Sequence, residues 1–388
     1  MRIYLDHNSG STLRPEAIAA LNALLLEGEG NPAAVHRAGQ RARRALEQAR
    51  GQVAALVAAS PSEIIFTSGG TESNNFAIAG ALGALSKRRK VITSAIEHSS
   101  ILAPLLNLEN RGLEIVRIAP DREGRVSPKE IAAAIDETTA LITLGLVNGE
   151  VGTVQHLGEI ARRAASAGAI FHLDAAQAAG RIPLEVDALG CDLMTLSAHK
   201  LGAPAGSGAL FVRDDCRVAP MLLGGPQENG RRAGTPNLLG AVAFGAAAQA
   251  AVRALAVEAA RLGELTAGLF SLLAAGIHGL KCNGPGGDRI SNTLNLTFPG
   301  VLGESMLIAL DLEGVEVSMG SACAAGAVEP SHVLLAMGRS AREARSSLRL
   351  SLGWNTTAQE VARAAEIIIR VWRRVSESEP IAAREALA

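Results

Sequence analysis

The sequence predicts an α/β protein, with a large domain built on a mostly parallel, seven-stranded sheet and a smaller α+β domain. Three observations predict it. Short apolar runs alternate with helical periods from about residue 15 to residue 212. The runs lack polar alternation, as strands covered on both faces do. The length, 388 residues, exceeds what one core commonly fills.

Helices are expected over 15–27 and 34–58, the first opening on Pro15 and stopping at Gly28. Strand-like runs follow at 64–67, 91–94, 113–118, 140–147, 169–173, 192–197 and 208–212. Helical stretches at 72–85, 99–109, 128–135 and 156–167 separate most of them. A long helix from about 237 to 275 leads onward. Strands near 293–298, 315–318 and 346–352 then alternate with helices near 303–312, 331–337 and 357–376. The large domain is expected over 13–255, and the smaller one over 1–12 and 256–388.

Composition excludes several function classes. A net charge of −1 speaks against a nucleic-acid binder. The four cysteines lie far apart with no C-x-x-C pair, which suits a reducing compartment better than a disulfide scaffold or a zinc site. No apolar leader follows Met1, and the Ala-rich stretch Leu238 to Leu262 carries Gln249, Arg253 and Glu258. These features predict a cytoplasmic protein without a membrane span. Lysine occurs only at 87, 90, 129, 200 and 281, so chemistry needing a primary amine has few candidates.

Polar residues cluster just past the apolar runs: Ser68-Gly69-Gly70-Thr71, Glu97-His98-Ser99, Asn148, Asp174 with Gln177, and Ser197-Ala198-His199-Lys200. Ligands of an open parallel sheet bind outside the carboxyl ends of its strands, so these segments can converge on one pocket. The glycine turn entering a helix suits a phosphate, although many strand–helix junctions need such a turn. Lys200 would ordinarily be solvated. Behind a buried strand, its amine can instead form a Schiff base. Asp174 is either a helix cap or a partner for a pyridine nitrogen. Together, an amine, a carboxylate and a phosphate cradle make pyridoxal 5'-phosphate the leading cofactor. His98 is a sheet-edge polar residue or a ring-stacking acid/base group.

Cys323 lies in the small-residue run Ser318 to Gly326, a composition that can expose a thiolate. Cys191 and Cys282 fit burial better, and Cys216 beside Asp214 and Asp215 should have a raised pKa. Arg349, inside a strand, needs a partner. A substrate carboxylate and an internal ion pair are the two readings.

These segments resemble the cysteine desulfurases of the nitrogen-fixation and iron–sulfur-assembly type. The match includes Thr67 to Asn75, Glu97 to Ser100, Phe171 to Gln177, Ser197 to Lys200, Arg232 to Thr235, Gly320 to Cys323, Glu329 to His332 and Arg349 to Gly353. The resemblance runs from Tyr4 to about Thr357. It implies the aminotransferase-like pyridoxal-phosphate fold (fold type I) and a homodimer. It also implies Lys200 as the Schiff-base lysine, Asp174 at the pyridine nitrogen, His98 on the ring and Gln177 at the ring hydroxyl. Gly70, Thr71, Ser197 and His199 would hold the phosphate, with Thr235 supplied by the other subunit. Arg349 with Asn148 would bind the carboxylate of L-cysteine. Cys323 would take the sulfur as a persulfide, leave alanine, and pass the sulfur to an iron–sulfur scaffold or another acceptor protein. The expected activity is that of a cysteine desulfurase. Selenocysteine lyase, another pyridoxal-phosphate lyase or aminotransferase, and a non-catalytic binding paralogue are the alternatives.

Three departures stand out. Gly149 follows Asn148 where these enzymes read Asn-Asn, removing a side chain expected near the ring hydroxyl. Ala205 replaces a lysine of the usual Gly-Pro-Lys-Gly, and Ser9-Gly10-Ser11 replaces the usual Ala-Thr-Thr.

Overall fold

The computed structural model describes residues 2–28, 30–320 and 329–378. Its strands, in chain order, are β1 (Ile3–Tyr4), β2 (Ile64–Thr67), β3 (Lys90–Ser94), β4 (Glu114–Ile118), β5 (Thr139–Gly145) and β6 (Ile170–Asp174). They continue with β7 (Leu193–Ser197), β8 (Gly208–Val212), β9 (Lys281–Asn283), β10 (Thr293–Thr297), β11 (Val315–Glu316) and β12 (Ser347–Ser351). Seven form one sheet in the order β2-β8-β7-β6-β5-β3-β4. The pairings from β4 to β7 are parallel, and β8 runs antiparallel to both β7 and β2. All seven apolar runs of the sequence are therefore strands of this sheet. Every residue of β2, β3, β7 and β8 is buried, which is why these runs show no alternation.

The register decides where the site falls. Asp174, the last residue of β6, lies level with Gly145 of β5 and Thr195 of β7. The polar segments after β5, β6 and β7 consequently leave the sheet side by side. The helix Gly70–Ala84 starts directly after β2 with no side chain capping it, so its first-turn amides lack an internal partner.

Beyond the large sheet, β12, β10 and β9 form an antiparallel sheet, and β1 pairs in parallel with β11. β1 and β9, strands of two and three residues, are too short to show periodicity in the sequence. The 39-residue helix Leu238–Gly276 serves both parts. Ala241 to Ala251 pack in the cluster under the large sheet, whereas Leu262, Leu269 and Leu273 pack with Leu296, Leu350 and Ile368. This helix is long and apolar enough to cross a membrane, yet these residues divide its apolar surface between two protein cores.

Candidate active site

Lys200 ends the 3-10 turn that follows β7. Its Nζ donates to the carbonyls of Asn8, at 2.5 Å, and Ser9, at 2.8 Å. Burial, then the positive charges of Arg181 and Arg349, lower its pKa from 10.5 to about 7. A substantial fraction of the amine is therefore unprotonated at neutral pH, the form that attacks carbonyls.

Asp174 holds two fixed hydrogen bonds. Oδ1 accepts from the Ala176 amide at 2.9 Å, and Oδ2 accepts from Asn74 Nδ2 at 2.7 Å. The same Asn74 nitrogen donates to Ser100 Oγ at 2.8 Å, and Ser100 Oγ lies 2.8 Å from His98 Nδ1. His98 Nδ1 also accepts from the Ser100 amide at 3.1 Å. A backbone N–H can only donate, so Nδ1 is the acceptor and the neutral ring carries its proton on Nε2. His98 caps the helix Ser99–Glu109. Its pKa falls below the usual value, from burial first and then from Lys200 and His332, against the pull of Asp174. The residue as a whole is exposed, so solvent screens this shift.

Ser197 Oγ lies 3.0 Å from His199 Nδ1, and burial holds His199 at a pKa of about 4. Ser197 also stands opposite the start of the Gly70 helix: a Cβ at Gly70 would meet Ser197 Cβ at 3.5 Å. Thr71, in the first turn, is exposed. These groups and the uncapped amides make a neutral, donor-rich anion cradle. Thr235, also exposed, lines a different cavity with Thr67, Ser68, Gly206 and Arg232.

Gln177 donates from Nε2 to the Asn8 carbonyl at 2.9 Å and accepts on Oε1 from Arg181 at 2.6 Å. Gly149 borders it: a Cβ there would stand 3.1 Å from Gln177 Nε2. Arg349 is held internally, by Asp6 Oδ1 at 2.8 Å, Ser9 Oγ at 2.7 Å and the Gly149 carbonyl at 3.1 Å. Its Nε is buried without a partner among the described residues. The ion-pair reading of Arg349 is thus satisfied within the chain. Asn148 is likewise engaged, since Oδ1 accepts from the amides of Glu150 and Val151 and Nδ2 donates to Ile96 O.

Burial pushes Cys191 and Cys216 up to about 12, with Asp192 and Asp215 adding to the shift at Cys216. Neither is a nucleophile at neutral pH. Cys323 lies outside the described residues.

Residues 3–364 match the family model for class-V aminotransferases. The chain belongs to that family. It is 41% identical over 379 residues to the cysteine desulfurase IscS of Dictyoglomus turgidum, an alignment covering 97% of this chain and 96% of the relative. A solved NifS-like protein superposes with a TM-score of 0.90 at 32% identity, over 96% of this chain and all of the other. SspA, solved in complex with cysteine, gives 0.79 at 34% identity, over 90% and 98%. Full-length relatedness at this level makes the chain a cysteine desulfurase in a pyridoxal-phosphate-dependent family.

Several site residues were not legible beforehand. Asn74 and Ser100 join Asp174 to His98, while Asp6, Asn8 and Ser9 hold Arg349 and Lys200. A buried asparagine in the Ala/Gly-rich helix after β2 was the available signal for Asn74.

Proposed function

We propose that this chain converts L-cysteine to L-alanine with pyridoxal phosphate and carries the removed sulfur on Cys323. The observation that carries the reading is Lys200: an amine with a pKa of about 7, at the same strand ends as a fixed carboxylate.

The residues fit the cofactor. Asp174 keeps acceptor capacity beyond its two hydrogen bonds, the anion cradle suits a phosphate, and Gln177 presents an amide donor. Bound there, pyridoxal phosphate would supply a carbonyl for amines and a ring that withdraws electrons. Asp174 would hold a proton at the ring nitrogen, with Asn74 fixing its orientation. Gly70, Thr71, Ser197, His199 and the partner subunit's Thr235 would bind the phosphate in a homodimer. His98, fixed through Nδ1, would pack on the ring and offer Nε2 for proton transfer. Lys200 would bind the cofactor and afterwards move protons at the substrate's α-carbon. Arg349 would take the substrate carboxylate by exchanging it against Asp6, its Nε being free of other partners.

The sulfur step balances without an added oxidant: L-cysteine and the Cys323 thiol give L-alanine and a Cys323 persulfide. A thiol or an acceptor protein, such as an iron–sulfur scaffold, then takes the outer sulfur. The test is to incubate the enzyme with L-cysteine, assay alanine, and map persulfide by mass spectrometry. We expect the label on Cys323, and C323S should keep the cofactor but form neither persulfide nor sustained alanine. Persulfide on Cys191, Cys216 or Cys282 would overturn the choice of thiol. Full turnover by C323S would favour a lyase that needs no cysteine.

A further inference from the structure

Among the described residues, Arg181 is a cation without a counter-ion. Nη1 donates to the Gln177 carbonyl at 2.9 Å and to Gln177 Oε1 at 2.6 Å, and Nη2 donates to the His7 carbonyl at 3.4 Å. All three acceptors are neutral. Other arginines around Lys200 are paired: Arg349 with Asp6 at 2.8 Å, and Arg14 with Glu258 at 2.7 Å. Arg181 forms no ion pair among the described residues, and enclosure lowers its pKa only to about 10, so it stays charged.

Two features connect it to the amine. Arg181 and Lys200 line the same cavity, of about 40 Å³, with His7, Ser11 and Trp354. They also meet through a relay: Arg181 grips the oxygen of the Gln177 amide, the amide nitrogen donates to the Asn8 carbonyl, and Lys200 donates to that same carbonyl. Because the guanidinium can only donate, it fixes which end of the amide is the oxygen. The NH2 end is left beside Gly149, where the missing side chain leaves room.

From this geometry we infer that Arg181 is a positioning residue for both groups. It turns the Gln177 NH2 toward the reaction side and sets an unbalanced positive charge beside Lys200. The inference rests on the roles proposed above for Lys200 and Gln177. The groups acting on Lys200 are Asp6 from the amino-terminal segment, Asp174 from the end of β6, Arg349 from β12, and Arg181. Asp6 offsets Arg349 by direct pairing, and His7 and His199 nearby are neutral, with pKa values of about 4. Asp174 favours an ammonium at Lys200, and Arg181 is left as the cation without an ion-pair partner among the described residues that opposes it.

The test uses the full-length chain, freed of cofactor so that Lys200 is a free amine, with 13Cε-labelled lysine. Its five lysines give few signals, and K200R assigns the one that matters. In R181M the Lys200 titration midpoint should rise by about one unit or more, whereas R181K should keep the wild-type midpoint. Binding of pyridoxal phosphate, by equilibrium dialysis, should weaken about five- to tenfold in R181M, which loses both donations from Nη1 to Gln177, and less in R181K, whose ammonium can still donate to the amide oxygen. An unchanged midpoint in R181M, or an equal rise in R181K, would overturn the charge role. Unchanged affinity in R181M would overturn the positioning of Gln177. If R181M does not fold, R181Q removes the charge while keeping a polar amide and must show the same rise. A borohydride-fixed cofactor on another lysine, with the Lys200 midpoint still moving, would fault the assignment of Lys200 and leave the charge effect standing.

Discussion

Replacing Glu97 with glutamine should make the protein progressively more stable than wild type as pH rises. Glu97 is buried beside the site, with Oε1 2.5 Å from Ser94 Oγ and Oε2 accepting from the Gly145 amide at 2.7 Å. Burial, with Asp174 adding repulsion, pushes its pKa from 4.5 to about 8. The carboxyl is therefore protonated at neutral pH, and the oxygen facing the Gly145 N–H must be its carbonyl. Ser94 Oγ donates to Oε1 when the carboxylate is ionised, and on protonation of Oε1 this bond reverses, so that Oε1–H donates to Ser94 Oγ. A glutamine can copy both contacts, with its oxygen toward Gly145 and its NH2 toward Ser94. In the unfolded chain Glu97 ionises near its ordinary pKa, so folding takes up a proton between pH 4.5 and 8. The folded state's advantage is full below that window and is lost as pH rises through it, at about 1.4 kcal/mol per unit and up to about 5 kcal/mol in all. Glutamine does not titrate and avoids this loss. Urea unfolding followed by far-UV circular dichroism, at about pH 5.5 and about pH 7.5, should show the difference between E97Q and wild type growing by about 3 kcal/mol. A difference that stays flat or shrinks would mean that Glu97 is ionised in the fold, and the reasoning would fail.

K200A should lose the borohydride-fixable cofactor while still binding it weakly, because the phosphate and ring contacts survive the covalent link; a fixed adduct at normal yield would refute Lys200. G149N should fold, since Gly149 is not among the glycines with left-handed backbone. Its Cβ, 3.1 Å from Gln177 Nε2, must nevertheless shift that amide by a few tenths of an ångström, and a displacement costing about 1 kcal/mol weakens cofactor binding roughly fivefold by dialysis. An unchanged affinity would show that the amide has room to spare.

The large sheet was readable because covered parallel strands are continuous apolar runs, and the residues just past them mark the binding edge. Asp174, Lys200 and His98 were proposed on that ground. The antiparallel course of β8 was not readable, since a five-residue buried run looks the same in either direction. The site's supports were hidden for a different reason. Asn74 meets Asp174 across 100 residues, and Asp6 meets Arg349 across 343. No local period or motif encodes such pairings. Arg349 shows the cost most plainly: its strand position announced the need for a partner, but only the fold supplied Asp6.

The segment Asp6–Ser9, which holds both Lys200 and Arg349, sets an order for folding. By residue 212 a growing chain has all seven strands of the large sheet and the whole Asp174–Asn74–Ser100–His98 relay. Residues at the very start must still wait for β12, and the contact between Ser9 and Arg349 closes a loop of 340 residues. Closure entropy grows only slowly with such length, but the encounter cannot precede synthesis of the far end. The contacts of Arg349 with Asp6 and Ser9, beside Lys200, are therefore made only after β12 is synthesised. A chain halted before β12 would hold Lys200 without the Asp6–Arg349 ion pair.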